Sequence, residues 1–574
     1  MRKLLIAALL LVPMAAHAAP RTRVVGRPAA PPLIVNVTPE PAACAMTPAI
    51  GPGTCDEGSG PFVSLSAIEV DAIARAAARA IADPATIAVV DRAGRVLAVL
   101  RKPGTLPSND ELAVGVARTA AFFSHNMAPL SSRTVRFISG IHFPPGITNT
   151  ASAALYGIEN TNRGCDFNVT FVSPSQCVPR ARNLTGLPCT PGSTAGCGPG
   201  IVTGKLQPND TDPSSVHAGG VPLYRLLPSG ITRINEGIVT GGQLVGAIGV
   251  AGPSGDPQVA EFAAASGAFG SAGIVPVPSY PLPEPGNVFV DGIRLPFLGP
   301  DIRLDFNSNG LPTGVKRLAG TTAGTDASSV YQVAAQNGGC AANGYLVGPL
   351  GGSISSTAVD AIVQRAITTA KKTRALIRLP LNSYARMVIA VADADGSILA
   401  LYRMPDATVF SIDVAVAKAR NVIWFSSGHD LPVPANTAVT NRTLNFGGQP
   451  FYPPGIDSSV FSPKPGPWFQ SLFVHDLSNP CTQGSQPVSP NQNGIVFFAG
   501  ASPLYNGSSL TGGLGVSGDG IEQDDYVTYF GAGTFLPAQN IWADQLKVDG
   551  ARLPMFKFPR QPEGVTECGG GPCS

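Results

Sequence analysis

Charge is scarce in this chain. Only 13% of its 574 residues are Asp, Glu, Lys or Arg, and the formal net charge is +2. No dense Lys/Arg cluster follows the first few residues, so nothing is available to neutralise a phosphate backbone, which argues against a nucleic-acid partner. Histidine is rarer still: beyond His17 the chain has His125, His142, His217, His429 and His475. There is no H-E-x-x-H, no C-x-x-C-H and no G-x-S-x-G set between a strand and a helix. Zincin chemistry, c-type haem attachment and the nucleophile elbow lose their usual signatures, and no catalytic constellation is evident. After the N-terminus no run reaches the roughly 18 apolar residues that a bilayer-crossing helix needs.

What is there begins with "MRKLLIAALLLVPMAAHAAP", in which Arg2 and Lys3 precede an apolar run and Ala16 and Ala18 flank His17. This is the pattern of a secretory signal peptide over residues 1–18, so the mature chain is expected to be exported, periplasmic or secreted. Ten cysteines, all beyond that segment, suit disulfides in an oxidising compartment, although their pairing is not fixed by sequence. The 66 Gly and 55 Pro point to long, turn-rich connections between compact units, because the 44% apolar content is too high for disorder throughout.

The chain repeats itself. "IAVVDRAGRVLAVLR" (Ile87 to Arg101) returns as "IAVADADGSILALYR" (Ile389 to Arg403) with eight of fifteen residues identical. Each reads as two strands around a tight turn, with Gly94 or the Asp393–Gly396 stretch in the turn and Asp91 or Asp393 capping backbone amides. An amphipathic helix precedes each hairpin, the first opened by a Ser66/Glu69 capping box. A small-residue helix follows each, "SNDELAVGVARTAAFFSH" and, at a constant offset of 302, "FSIDVAVAKARNVIWFSS". Ala113, Ala117 and Ala120 would let the first sit close on a sheet, and Ser108 with Glu111 is expected to cap it. "SRTVRFISGIHFPPGI" at Ser132 then aligns with "NRTLNFGGQPFYPPGI" at Asn441. Both copies close with glycine-rich runs, "GAIGVAGPSGDP" and "GGLGVSGDGIEQDD", read as a strand, a turn and a helix opened by Asp256 or Asp524. Neither run has the spacing of a P-loop or a dinucleotide fingerprint.

This order of elements, "VVD..G......R", then "A..KA..A..F", then "GVSG....QD", resembles the GlcG/HbpS-like haem-binding family. The matches are Asp91, Gly94, Arg101, Ala117 and Phe123 in the first copy, and Asp393, Gly396, Arg403, Lys418, Ala419, Ser517, Gln523 and Asp524 in the second. The first copy departs at Val116, where the second has Lys418, and at Ala251, where it has Ser517. The resemblance implies an α+β fold: two profilin-like domains, each an antiparallel sheet flanked by helices, with long Gly/Pro-rich insertions.

The corresponding layout is an N-terminal segment at 19–61 and a first domain at 62–300 with a Cys-rich insertion near 148–216. A linker at 301–352, a second domain at 353–560 and a tail at 561–574 complete it. The resemblance also implies haem or a related planar tetrapyrrole as ligand, and assembly as a homo-oligomer or an intramolecular pseudo-dimer. Lys418, Arg101 and Arg403 are then candidate contacts for its acidic groups. His125 and His429, each just past its small-residue helix, are candidate iron ligands or, alternatively, cations favoured by the helix dipole. An exported, non-catalytic binding protein is the function expected. The alternatives are an interaction module that has lost its ligand and an enzyme with a site between the copies.

Overall fold

The computed structural model describes residues 65–126, 128–139, 155–158, 161–162, 217–226, 242–253, 255–278, 289–290, 293–308, 311–333, 344–378, 382–453, 464–479, 482–487, 489 and 491–565. The stretch read as a signal peptide, all ten cysteines and most of the Cys-rich insertion lie outside the described residues.

The first copy starts with helix α1 (Ala67–Ala80), whose Ser66/Glu69 capping box forms as its sequence predicts. Strands β1 (Thr86–Asp91) and β2 (Val96–Arg101) make the hairpin, with Gly94 at φ +80° in the turn and the Asp91 carboxylate accepting from the Arg95 N–H. Helix α2 (Asn109–Phe123) follows, then a short helix α3 (Ser132–Ile138). Strands β3 (Gly220–Leu226) and β4 (Gly242–Ala251), helix α4 (Pro257–Ala268) and strand β5 (Ile274–Val275) complete the unit. Asp256 caps α4 through the Gln258 N–H, as expected. Ser108 does not cap α2: it is itself helical and makes no side-chain cap bond.

The second copy repeats this plan. Helix α5 (Ser356–Lys372), the hairpin β8 (Met387–Asp393) and β9 (Ile398–Arg403), helices α6 (Phe410–Ser426) and α7 (Asn441–Gly447), strands β10 (Ala501–Asn506) and β11 (Ser509–Gly518) and helix α8 (Ile521–Ala532) are its elements. Between the copies, β6 (Val330–Val333) and β7 (Gly344–Val347) arise within the stretch read as a linker. The sheets run β6-β2-β1-β4-β3-β5 and β7-β9-β8-β11-β10, and every pairing is antiparallel. The class is α+β, with two such domains.

Each sheet is covered on both faces, so its central strands are buried along most or all of their length. Helices α1 and α4 pack together on one face of the first sheet and α5 and α8 on one face of the second, while α2 and α6 take the opposite faces. Glycine explains how closely α2 and α6 approach. A Cβ at Gly249 would lie 2.0 Å from the Ala113 carbonyl oxygen, and one at Gly515 2.1 Å from that of Ala415. The glycine-rich runs therefore serve chiefly as strand surface against which a helix backbone rests, more than as turns. One arginine then pins each helix to its hairpin. Arg118 Nε donates to Gly94 O at 2.8 Å, and Arg420 Nε to Gly396 O at 2.9 Å.

The edge strands show the same duplication. Tyr331 of β6 donates its hydroxyl to Asp71 of α1, and Tyr345 of β7 donates to Asp360 of α5 at 2.6 Å.

Candidate functional site

The free faces of α2 and α6 are apolar, and they meet. Ala117, Ala120, Ala121 and Phe123 share one core with Val409, Phe410, Val414 and Ala417. Phe123 and Phe410 stack with ring centroids 4.0 Å apart and planes within 9°, and the Val409 N–H donates to Phe122 O at 3.0 Å. The chain thus buries between its own copies a surface that a single copy would leave exposed.

Beside this apolar seam lies a buried ionic network. Asp406, at φ +56°, accepts from Arg92 Nη2 of the first copy at 2.6 Å and from Arg378 Nη1 at 2.7 Å. Arg378 Nε also donates to Asp519 at 2.7 Å. Burial pushes the Asp406 carboxyl up, but Arg378 and Arg92 outweigh it and hold the group well below its ordinary value. In the interior, charges persist when they are paired and hydrogen-bonded, as these are. The network comes from four separate segments, and sequence reading missed it.

A second buried pair sits at the end of the seam. Lys418 Nζ, on α6, donates to Asp524 Oδ2 at 3.0 Å and to Val516 O at 2.8 Å, and lies 4.9 Å from the Phe498 ring centroid. Asp524 does not open α8; the helix starts at Ile521 after Gly520 at φ +150°, which places Asp524 one turn in on the buried face. Burial pushes the Asp524 carboxyl up to about 7 against the pull of Lys418, and burial lowers Lys418 in turn. Burial thus works against the charged form of both partners. A small cavity of about 30 Å³, lined by Phe123, Leu130 and Ile138 of the first copy and by Phe410, Phe498 and Asp524 of the second, adjoins the pair. That is room for one or two water molecules.

The first copy has lost both charges together. Arg133 pairs with Glu261 as Arg442 pairs with Asp525, and a Cβ at Gly219 would approach Ala260 as one at Gly500 would approach Asp524. Ala260 therefore stands where Asp524 does, and Val116 where Lys418 does. The departure at Val116 is compensated one helix away.

The sequence-predicted residues do not form one site. His125 is fully buried, its Nδ1 3.9 Å from Asp406, and burial together with Arg378 lowers it to about 3, so it is neutral. It has no surface from which a ligand in solvent could be reached. His429 is exposed and stacks on Trp424, centroids 4.0 Å apart. Arg101 is held by Asp110, whereas Arg403 is fully buried and donates to Ala407 O at 3.0 Å. Of these residues only Lys418 adjoins the seam cavity through its partner Asp524, and His125 lies beside the seam against Asp406. Among the described residues no three His, Cys, Asp or Glu side chains cluster as a metal set, and no helix is long and apolar enough to cross a membrane.

A larger concavity lies on the first copy. It is an open groove of about 650 Å³, with Phe137, Leu298, Leu304 and Phe306 among its apolar lining and Arg294 and Arg303 on it. Thr134 Oγ1 fixes one wall by donating to Pro296 O at 2.7 Å.

The family model described as "Haem degrading protein HbpS-like" matches residues 65–171 and 354–532, one stretch in each copy. The chain is a two-copy member of the HbpS-like family. Comparison with curated proteins finds no match. Among solved structures, a PduOC:haem complex is 21% identical, with 31% of this chain and 92% of that one covered and a TM-score of 0.20. The Klebsiella pneumoniae protein ORFY is 18% identical, with 32% and 90% covered and a TM-score of 0.21. A double mutant of Streptomyces reticuli HbpS is 17% identical, with 31% and 82% covered and a TM-score of 0.18. In this HbpS-like chain the residues that carried the family resemblance hold hairpin turns, helix–sheet approach and the Lys418–Asp524 pair.

Proposed function

We propose that this HbpS-like chain is an exported, non-catalytic protein that binds haem or a related tetrapyrrole. The observation that supports the haem part of the reading is the family match, present in both copies of a family described by its haem chemistry. The N-terminal "MRKLLIAALLLVPMAAHAAP" supports export, and ten cysteines suit an oxidising compartment. The test is a haemin titration of the oxidised, processed chain followed at the Soret band. A saturable change near one or two equivalents is the expected result, and a non-saturating response equal to that of an unrelated protein overturns the reading.

One observation favours a second reading, an enzyme acting between the copies. Lys418 and Asp524 form a buried pair beside a cavity lined by both copies, and perturbed, paired titratable groups of this kind recur at active sites. On that reading bound haemin loses its absorbance over time with ascorbate in air, and Lys418→Met abolishes the loss. Equal loss in the native chain and the variant removes the seam as a catalytic site.

A further inference from the structure

The geometry points to the seam cavity as a binding site for a short neutral alcohol, with its hydroxyl on Asp524 and its alkyl end among apolar side chains of both copies. This goes beyond the tetrapyrrole reading and does not rest on it.

Three observations carry it. The first is a buried polar atom with nothing to bond. Asp524 is 2% exposed and lines the cavity; Lys418 takes its Oδ2 at 3.0 Å, and Oδ1 has no hydrogen-bond partner among the described residues. An atom left in that state bears its full desolvation penalty, so a molecule that bonds to it gains more there than it would at the surface.

The second is the rest of the wall. Phe123 and Leu130 of the first copy and Phe410 and Phe498 of the second are apolar, and the hydroxyl of Ser517, also on the wall, donates to Ser411 Oγ at 3.0 Å. An internal water typically makes about three hydrogen bonds, and a wall with so much apolar surface offers fewer. A molecule polar at one end and apolar at the other therefore suits the space better than water does.

The third is size. A volume of about 30 Å³ admits about two or three non-hydrogen atoms when they are bonded to one another, which sets methanol and ethanol as the fit. The polar end follows from the charges. Lys418 beside Asp524 repels an ammonium, and Asp524 itself repels a carboxylate. A hydroxyl both donates and accepts, so it can bond Oδ1 whether the carboxyl is ionised or protonated, and at about 7 Asp524 takes up either form near neutrality. A carbonyl could only accept. In the first copy Val116 and Ala260 stand in the places of Lys418 and Asp524 and give a hydroxyl no side-chain partner.

The experiment is ligand-observed saturation-transfer NMR on the full oxidised chain, with ethanol and separately with butan-1-ol. It is repeated on Lys418→Met/Asp524→Leu and on Ile521→Phe, which narrows the cavity from a half-buried position on its wall. Expected is a saturable ethanol signal with a Kd of about 1 mM or somewhat weaker, close to the tightest that so few non-hydrogen atoms allow. Butan-1-ol should bind about tenfold or more weaker because it overfills the space, and each variant should weaken ethanol by about tenfold or more. Plain apolar contact predicts the opposite order, with butan-1-ol about fifteenfold tighter for its two added methylenes, and that order overturns the inference. The order is read on the native chain, so it decides even where a variant fails the far-UV circular dichroism check for folding. Ethanol binding that the folded Lys418→Met/Asp524→Leu chain keeps in full overturns the bond to Asp524, and binding that Ile521→Phe keeps in full overturns the place. No saturable ethanol signal from the native chain overturns the site, while the haemin titration decides the tetrapyrrole reading separately.

Discussion

Replacing Lys418 by Met leaves Asp524 in the interior without its partner. At 3.0 Å, with Asp524 almost fully buried, the pair is shielded from bulk solvent, and burial lifts the carboxyl from 3.8 to about 7 even against the pull of Lys418. That rise disfavours the charged carboxylate by about 4 kcal/mol, in line with the ~3–5 kcal/mol typical when one member of a buried pair is removed. Because the folded state raises this pKa, its protonated form is the one the fold prefers. The group's contribution is full below its ordinary value and is lost as pH rises through about 7. Without Lys418 the carboxyl climbs further, so Lys418→Met is expected to lose about 3–5 kcal/mol near pH 8 and clearly less near pH 5, where Asp524 takes up a proton. The double variant Lys418→Met/Asp524→Leu puts apolar groups of similar volume in both places and should stay within ~1 kcal/mol of the native chain. Urea denaturation midpoints at the two pH values read this directly, provided the m-value holds. If the double variant loses as much as the two single variants together, or if Lys418→Met is hurt more in acid, the pair is not the unit described here.

Two further outcomes follow from the packing. Gly515→Ala places a Cβ 2.1 Å from the Ala415 carbonyl oxygen and should cost ~2 kcal/mol or more by pushing α6 off its sheet, whereas Gly314→Ala, with nothing within 4 Å, should be near neutral by thermal melting. Asp406→Asn removes the negative charge that Arg92 and Arg378 share and turns one of their two accepting oxygens into a donor, with an expected loss of ~3–5 kcal/mol at neutral pH. Since those arginines hold Asp406 below its ordinary value, its stabilising effect exists above that value and is lost as pH falls through the depressed one. The gap between native and variant should therefore close in acid, and a gap that stays constant would exclude the assigned charge.

The sequence made local geometry legible where one or two residues decide it. Gly94 and Gly396, at φ +80° and +83°, mark both hairpins, and Ser66 with Glu69 marks the first helix start. The Ser108/Glu111 box failed because Ser108 continues the helical backbone, so its side chain has no bare amide to cap. Asp524 misled for a related reason: an acid near a helix start reads as a cap, but the turn is made by Gly520, which moves Asp524 onto the core face. The absence of the pair from the first copy was half visible as Val116, and Ala260 could be matched only through the structure, by Gly219 against it and by the Arg133–Glu261 pair beside it. His125 and His429 look alike in sequence because both follow the same helix. Yet one turns into the seam and the other onto Trp424, a difference set by tertiary packing. Arg92, Arg378, Asp406 and Asp519 come from four separate segments, and no local pattern announces them.

The stretch between the copies does more than join them. Its two short strands each occupy the outer edge of a different sheet, where β2 and β9 would otherwise present a row of bare backbone donors and acceptors. Such edges invite strand exchange with other molecules. A single connector thus caps one edge of each sheet. Nicking it between Val333 and Gly344 should leave two folded halves that remain clasped at the seam, while the freed ends become the first points at which the protein starts to aggregate.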